Sequence, residues 1–214
     1  MIGGGIVGVE LAAEMVCHPS SRNKKISIVH SHSYLMERGN KRAANYAENF
    51  FRRNGVNLIF DERVTKIDGR SFITEKGTKI RADLAFLCTG IKPNFEFMEK
   101  NFSSSLNENK YIKVNNFLQL EGSKNIFVAG DITAIKEEKT AQNAEKQARV
   151  VIDNIRNLVS GKRLREYKSG DRVMVISLGK TNGILTYKNF IIPGIIPGLL
   201  KTLIEWKTMM RYKI

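Results

Sequence analysis

Residues 3, 5 and 8 of this chain are glycines, within "MIGGGIVGVELAAEM", and that spacing limits the fold more than any other feature. In G-x-G-x-x-G the first glycine makes a tight turn and the second lets backbone approach a pyrophosphate. The third lets a helix pack closely on a strand, and the phosphate then meets the helix N-terminus. The next fifty residues fit such a turn. Ile6 to Cys17 reads as a helix with Val7, Leu11, Ala12 and Met15 on or near one face, closed by Pro19, Ser20 and Ser21. "KKISIVHS" (24–31) is a short strand ending at His30, and "KRAANYAENFFRRNG" (41–55) is a helix with Gly55 at C′, where a left-handed residue is favoured. "VNLIF" is the third strand. Strand, glycine turn, helix, strand, helix, strand is the mononucleotide-binding half of a doubly wound α/β fold. Residues 1 and 2 supply at most the last two positions of the first strand.

Beyond residue 60 the pattern changes. "ERVTKID", "SFITEKG" and "TKIRADLAFLCTG" are separated by Asp68-Gly69 and Lys76-Gly77, which are hairpin turn signals. They predict an antiparallel meander returning into a buried strand, Leu84 to Cys88. "NIFVAGD" (125–131) reads as an apolar strand and Thr140 to Val159 as a long helix closed by Ser160-Gly161. Strand-like "RVMVISLG" and "NGILTY" precede an apolar tail interrupted by Pro193 and Pro197.

The net charge of +14 is uneven. Residues 1–160 hold 24 Lys+Arg against 18 Asp+Glu, and residues 161–214 hold 11 against 3, so the last quarter carries +8 of the excess. Such a segment faces either solvent or an anionic partner; charge without a reading motif gives no reason to expect nucleic acid. Cys17 and Cys88 lie 71 residues apart with neither pairing nor metal spacing, which predicts core packing and a reducing compartment. No metal ligand set and no catalytic side chain is assigned. The apolar N-terminus lacks a cationic n-region and carries Glu10 and Glu14, unlike a signal peptide.

The strand after a dinucleotide turn ordinarily ends in an acid that binds the adenosine ribose; here it ends at His30. No carboxylate at the strand end repels a 2′-phosphate, and with Arg38, Lys41 and Arg42 close behind the local charge is positive until Glu37 is counted, so NADPH is expected to be accepted at least as well as NADH. The alternative is that His30, Ser31 and His32 are only a polar strand end.

Two later motifs, "DLAFLCTGIKPN" (83–94) and "NIFVAGDIT" (125–133) followed by "TAQNAEKQARVVIDNI", resemble the NAD-domain exit loop and the flavin-binding strand of the two-dinucleotide-binding-domain flavoproteins. That superfamily writes its NAD turn G-x-G-x-x-G-x-E, and Glu10 fills the last position. The resemblance implies FAD and NAD(P)H as cofactors. It implies that Asp131 takes hydrogen bonds from the ribityl hydroxyls and that Gly130 leaves room for the flavin. It further implies that Thr140, Ala141 and Gln142 present a helix N-terminus to the flavin pyrimidine, and that Thr89 and Gly90 form the crossing between nucleotide domains. Glu10 either lies near the nicotinamide, as in the family, or simply favours the helix dipole.

"SLGKTNGILTYKNF" and "WKTMMRYKI" resemble the end of the apoptosis-inducing-factor-like flavoproteins of the ferroptosis-suppressor type, which implies reduction of a ubiquinone-type acceptor at a membrane surface. The apolar stretch 190–204 with Trp206, Lys207, Arg211 and Lys213 either docks peripherally on a membrane or packs as a subdomain over the flavin. Disulfide reductases of the superfamily need a histidine in the C-terminal domain, and none follows His32. A non-catalytic NAD(P)-binding remnant or a redox-regulated interaction protein is the other alternative. The expected organisation is an NAD(P)-binding domain at 1–93, the second half of a FAD-binding domain at 94–161 and a small α+β C-terminal domain at 162–214. In the superfamily's order an earlier half of the flavin domain precedes the glycine turn, so Met1 is expected to mark a truncation, the 125–131 strand is expected to lack the sheet it should join, and the chain as written is expected not to retain flavin. The expected location is cytoplasmic, peripheral on the cytosolic face of a membrane or a lipid droplet, or mitochondrial.

Overall fold

Helix α1 (Ile6–Cys17) starts immediately after the glycine turn because two glycines let it come close. Gly3 is left-handed (φ 108°), and a Cβ there would run into the Cys88 carbonyl oxygen. A Cβ on Gly8 would run into the Gly3 carbonyl oxygen. The structure is a computed structural model that describes residues 1–170 and 173–212, the side chains of Arg211 and Tyr212 excepted. It divides into two compact units, Met1–Gly90 with Asp171–Ile214, and Ile91–Gly170.

In the first unit Ile2 bridges in parallel to Val29 on one side and Leu87 on the other. Strand β1 (Ser27–Val29) pairs in parallel with β2 (Asn57–Ile59), Ile28 opposite Leu58. Helix α2 (Lys41–Arg53) connects them: the Asn40 side chain caps its N-terminus by accepting from the Arg42 amide at 2.8 Å, and Arg52 and Arg53 sit at the end favoured by the dipole. Gly55 comes next at φ 72°, the left-handed C′ position expected for it. Ala43, Ala47 and Phe51 of α2 join Val9, Ala12 and Ala13 of α1 and Ile28 in one core. The buried face of α1 is therefore Gly8, Val9, Ala12 and Ala13; of the expected apolar face Ala12 is buried, Leu11 and Met15 are half-buried and Val7 is 68% exposed. Close approach selects the small side chains and turns the larger ones outward.

The meander forms as expected from β3 (Val64–Asp68), β4 (Ser71–Thr74) and β5 (Lys79–Arg81), with Gly69 and Gly77 left-handed at its turns. Leu84–Cys88 does not become a buried strand. Its only bridge among the described residues is Leu87 to Ile2, and Leu84 and Leu87 are both exposed, because a two-residue neighbour gives a parallel strand too short a ladder and covers neither face. Nor are the cysteines core residues: Cys17 is exposed, its sulfur against Gly179, and Cys88 is half-buried.

The C-terminal segment adds β6 (Met174–Ser177), β7 (Gly183–Tyr187) and β8 (Phe190–Gly194), an antiparallel sheet, and helix α5 (Ile195–Tyr212). Pro193 lies in the edge strand and Pro197 in the first helical turn, the positions where a missing N–H is tolerated. Ile176, Leu178 and Ile184 enter the same core as α1 and α2, so these strands complete the first unit.

The second unit holds α3 (Glu96–Phe102) and α4 (Ala141–Val159) around two small apolar clusters. Residues 125–131, expected as a strand, make one antiparallel bridge, Phe127 to Gln119. Their partner is the short stretch 118–120, and Leu118 is itself left-handed (φ 62°), so the ladder stops there. What holds this unit is the buried face of α4, where Asn143, Gln147, Val150 and Asn154 recur at helical spacing and three of the four are amides. Asn154 is fully buried: its Nδ2 donates to the carbonyls of Phe117 and Arg165, each at 2.9 Å, and its Oδ1 accepts from the Arg165 amide at 2.7 Å. Asn154→Ala leaves two backbone groups of residue 165 and one of residue 117 without a partner. A loss of about 3 kcal/mol in unfolding free energy is expected by urea denaturation.

Candidate functional site: the glycine turn and its surroundings

Gly5 differs from Gly3 and Gly8. A Cβ there would meet nothing within 4 Å, and as N-cap of α1 it brings no side chain to the first-turn amides. The open space and the uncapped amides together form a cradle with the shape and polarity that a pyrophosphate needs. Gly4, which the motif leaves unspecified, is also constrained: a Cβ would lie 2.6 Å from Leu35 Cδ2 and 2.9 Å from His30 Cγ. The only sequence sign of this constraint was the unbroken run of three glycines.

His30 stands just after β1 and is 5% exposed beside the turn. The Gly4 amide donates to its Nδ1 at 3.1 Å, and its Nε2 is 3.1 Å from Glu37 Oε2. The strand end itself carries no carboxylate, but the 31–39 loop brings Glu37 back to it. Met36 makes this possible by adopting φ 52° while its amide donates to the Gly4 carbonyl at 2.8 Å. Burial pushes the His30 imidazole below its ordinary pKa, and Glu37 only partly opposes this. The nitrogen and oxygen atoms of His30, His32 and Glu37 lie within 4.8 Å of one another, a spacing that resembles a metal site. The Gly4 hydrogen bond argues against it: it occupies the Nδ1 lone pair, which puts the ring proton on Nε2 and leaves no lone pair facing the other two groups.

Glu10 turns toward the C-terminal segment. Its Oε1 accepts from the Ser177 amide and from Lys201 Nζ, both at 2.9 Å, so one carboxylate joins α1 to β6 and α5. Sequence reading missed Ser177 and Lys201, which lie 167 and 191 residues from Glu10. Thr89 and Gly90 are exposed at the end of the first unit, Gly90 at φ 100°. The Thr89 amide nitrogen lies 3.1 Å from where a Gly3 Cβ would stand.

Gly130, Asp131, Thr140, Ala141 and Gln142 belong to the second unit. The Gly130 amide donates to Gln147 Oε1 at 2.7 Å with φ 89°, and Gln147 Nε2 donates to Glu137 at 2.6 Å, so α4 pins both ends of the 130–137 loop. Thr140 caps α4 by accepting from the Asn143 amide at 3.3 Å. Asp131, Thr140, Ala141 and Gln142 are all exposed, presenting an acceptor-only carboxylate and a helix N-terminus. Their chemistry suits the vicinal hydroxyls and developing negative charge of a flavin. Lys139, unremarked in the sequence, ties the loop from inside: its Nζ donates to the carbonyls of Thr133 (2.6 Å) and Ile135 (3.1 Å), and burial lowers its pKa. Burial opposes ionisation of Glu137, but hydrogen bonds from Tyr167, Ser169 and Gln147 outweigh it and hold its pKa low.

Known proteins are similar to this chain in sequence and in fold. The mouse protein named ferroptosis suppressor protein 1 is 33% identical over 98% of this chain and 60% of its own length. Apoptosis-inducing factor homolog B of Dictyostelium discoideum is 34% identical over 86% of this chain and 54% of its own. The chain thus spans little more than half the length of these curated relatives. Among solved structures, the sulfide:quinone oxidoreductase of Aquifex aeolicus superposes with a TM-score of 0.80 at 18% identity, covering 98% of this chain and 57% of that one. The water-forming NADH oxidase of Lactobacillus brevis bound to NADH gives 0.71 at 21% identity, covering 87% and 41%. Residues 1–148 match the family model described as pyridine nucleotide-disulphide oxidoreductase, and the chain belongs to that family.

Proposed function

We propose that this chain carries the pyridine-nucleotide site and the flavin-facing elements of a FAD-dependent NAD(P)H oxidoreductase whose acceptor is a quinone. The observation that carries the reading is the contrast among the three glycines. Contacts inside the protein account for Gly3 and Gly8, whereas nothing among the described residues accounts for Gly5, which supports a ligand as the reason for the missing side chain there. Bound flavin would supply the two-electron centre between nicotinamide and acceptor. The chain's own part is positional. The first-turn amides of α1 hold the pyrophosphate, Asp131 accepts from hydroxyls, and the α4 N-terminus favours negative charge. Lys201 and the Ser177 amide fix the Glu10 carboxylate beside the turn.

The surface of α5 supports a quinone acceptor at a membrane. Ile195, Leu199, Leu203, Trp206 and Met210 recur at intervals of three and four, share one face and are all exposed. Lys201 projects from the opposite side toward Glu10. No helix among the described residues is long and apolar enough to cross a membrane. A short apolar face with Trp206 and Lys207 at its border suits a helix lying in the interface, where a lipid-soluble quinone is dissolved. Lys213 of the proposed basic border lies outside the described residues. Disulfide reduction is not favoured, since His18, His30 and His32 are the only histidines and none stands in the C-terminal segment.

Three measurements test this reading. In titrations followed by nicotinamide fluorescence, Gly5→Ala is expected to weaken NADH binding about tenfold or more while changing stability by no more than about 0.5 kcal/mol. Gly8→Ala is expected to lose about 2 kcal/mol or more of stability through its backbone clash; unchanged nucleotide affinity in Gly5→Ala would sink the site. The protein purified from its source cells should show flavin absorbance that NADH or NADPH bleaches and a short-chain ubiquinone analogue restores, and bleaching without restoration would rule out the quinone. Co-flotation with phosphatidylserine-containing vesicles at low salt is expected and should be lost in Leu203→Glu/Trp206→Ser; failure of the unmodified protein to float would remove the membrane role.

A further inference from the structure

The hydrogen bonds of His30 decide where its proton sits, and that decides what Glu37 is for. With Nδ1 accepting from the Gly4 amide at 3.1 Å, the neutral ring carries its hydrogen on Nε2 and donates it to Glu37 Oε2, also at 3.1 Å. The ring is buried at the foot of the glycine turn, and the turn's own backbone orients it. Glu37 is held by its neighbours too: the Tyr34 hydroxyl donates to its carbonyl at 3.3 Å, and the Met36 amide anchors the loop to Gly4. Its side chain is 22% exposed, and its second oxygen, Oε1, lies 3.7 Å from Nε of the solvent-exposed Arg38. A carboxylate with one oxygen fixed and the other near the surface thus stands at the end of the strand that comes after the glycine turn. A dinucleotide fold places its ribose-binding acid there.

We propose that Glu37, oriented by His30, accepts the hydroxyls of the adenosine ribose and makes this site select NADH over NADPH. The proposal rests on the glycine turn being a dinucleotide site. Glu37 is the specificity-determining residue and His30 is a positioning residue that acts through it. A carboxylate is an acceptor-only group, matched to two vicinal hydroxyls, and it repels the roughly −2 charge that a 2′-phosphate carries near neutral pH. Arg38 and Lys41 do not cancel this discrimination. Arg38 lies beside Glu37 with its side chain 82% exposed, and Lys41 stacks over the Tyr34 ring at 4.0 Å.

The test is a pair of titrations of the full chain, with NADH and with NADPH, repeated on variants whose thermal unfolding is measured alongside. The unmodified chain is expected to bind NADH about tenfold more tightly than NADPH or better, a difference of about 1.4 kcal/mol. Glu37→Gln should weaken NADH and strengthen NADPH until the two agree within about threefold. His30→Gln places an amide N–H near the position of Nε2 and should preserve the preference, whereas His30→Ala should shift it as Glu37→Gln does. Equal affinities in the unmodified chain, or an unchanged ratio in a stably folded Glu37→Gln, would overturn the role of Glu37. Failure of the unmodified chain to bind either nucleotide would overturn the dinucleotide reading itself, so the two failures are distinct.

Discussion

Everything in the first unit depends on how closely α1 approaches the turn before it. Gly8 lies so near the Gly3 carbonyl that no side chain fits between them, and this contact places the N-terminus of α1 beside the ends of the parallel strands. The first-turn amides then face open space over Gly5, small residues line the buried face of the helix, and Glu10, one turn in, emerges on the side where β6 and α5 pack. The close approach has an energetic cost, because Gly is a poor helix former and loses the most backbone entropy on folding. The core of Val9, Ala12, Ala13, Phe51 and Ile184 offsets that cost by burial.

Where local chemistry dominates, the sequence was a sufficient guide. Helices α1, α2 and α4 begin and end within a residue or two of their expected limits, because a glycine turn, an Asn cap and a Thr cap mark them. The meander owes its two turns to Asp68-Gly69 and Lys76-Gly77. The strand expected at 84–88 did not form, and 125–131 lacks a sheet to join, as expected of it, for one and the same reason. An apolar run becomes a strand only when neighbours offer a ladder of matching length, and neither Ile2 nor 118–120 offers one. Periodicity cannot report on the neighbour.

The site was legible in the same uneven way. The glycines could be read from their spacing, since each answers to a local geometric demand. Glu37 could not, because its approach to His30 depends on a left-handed Met36, a conformation that a methionine side chain does not announce. Lys201 and Ser177 were invisible because their relation to Glu10 exists only after the C-terminal segment has packed on α1. Lys139 was hidden among the surface lysines, and only its two carbonyl acceptors set it apart.

The division of the first unit between both ends of the chain has a consequence for how the protein is made. The Glu10 carboxylate receives its partners from residues 177 and 201, and Tyr46 reaches Asn182 at 3.1 Å, so contacts that finish this core close loops of well over one hundred residues. Such closures come late and slowly, because the chain entropy they cost is lost before their contacts form. Residues 91–170, by contrast, are contiguous and leave the ribosome as a complete set. The core around α1 and α2 can assemble from residues 9–56 as they are made, but it is completed by Ile176, Leu178 and Ile184 only after the whole middle of the chain has been translated.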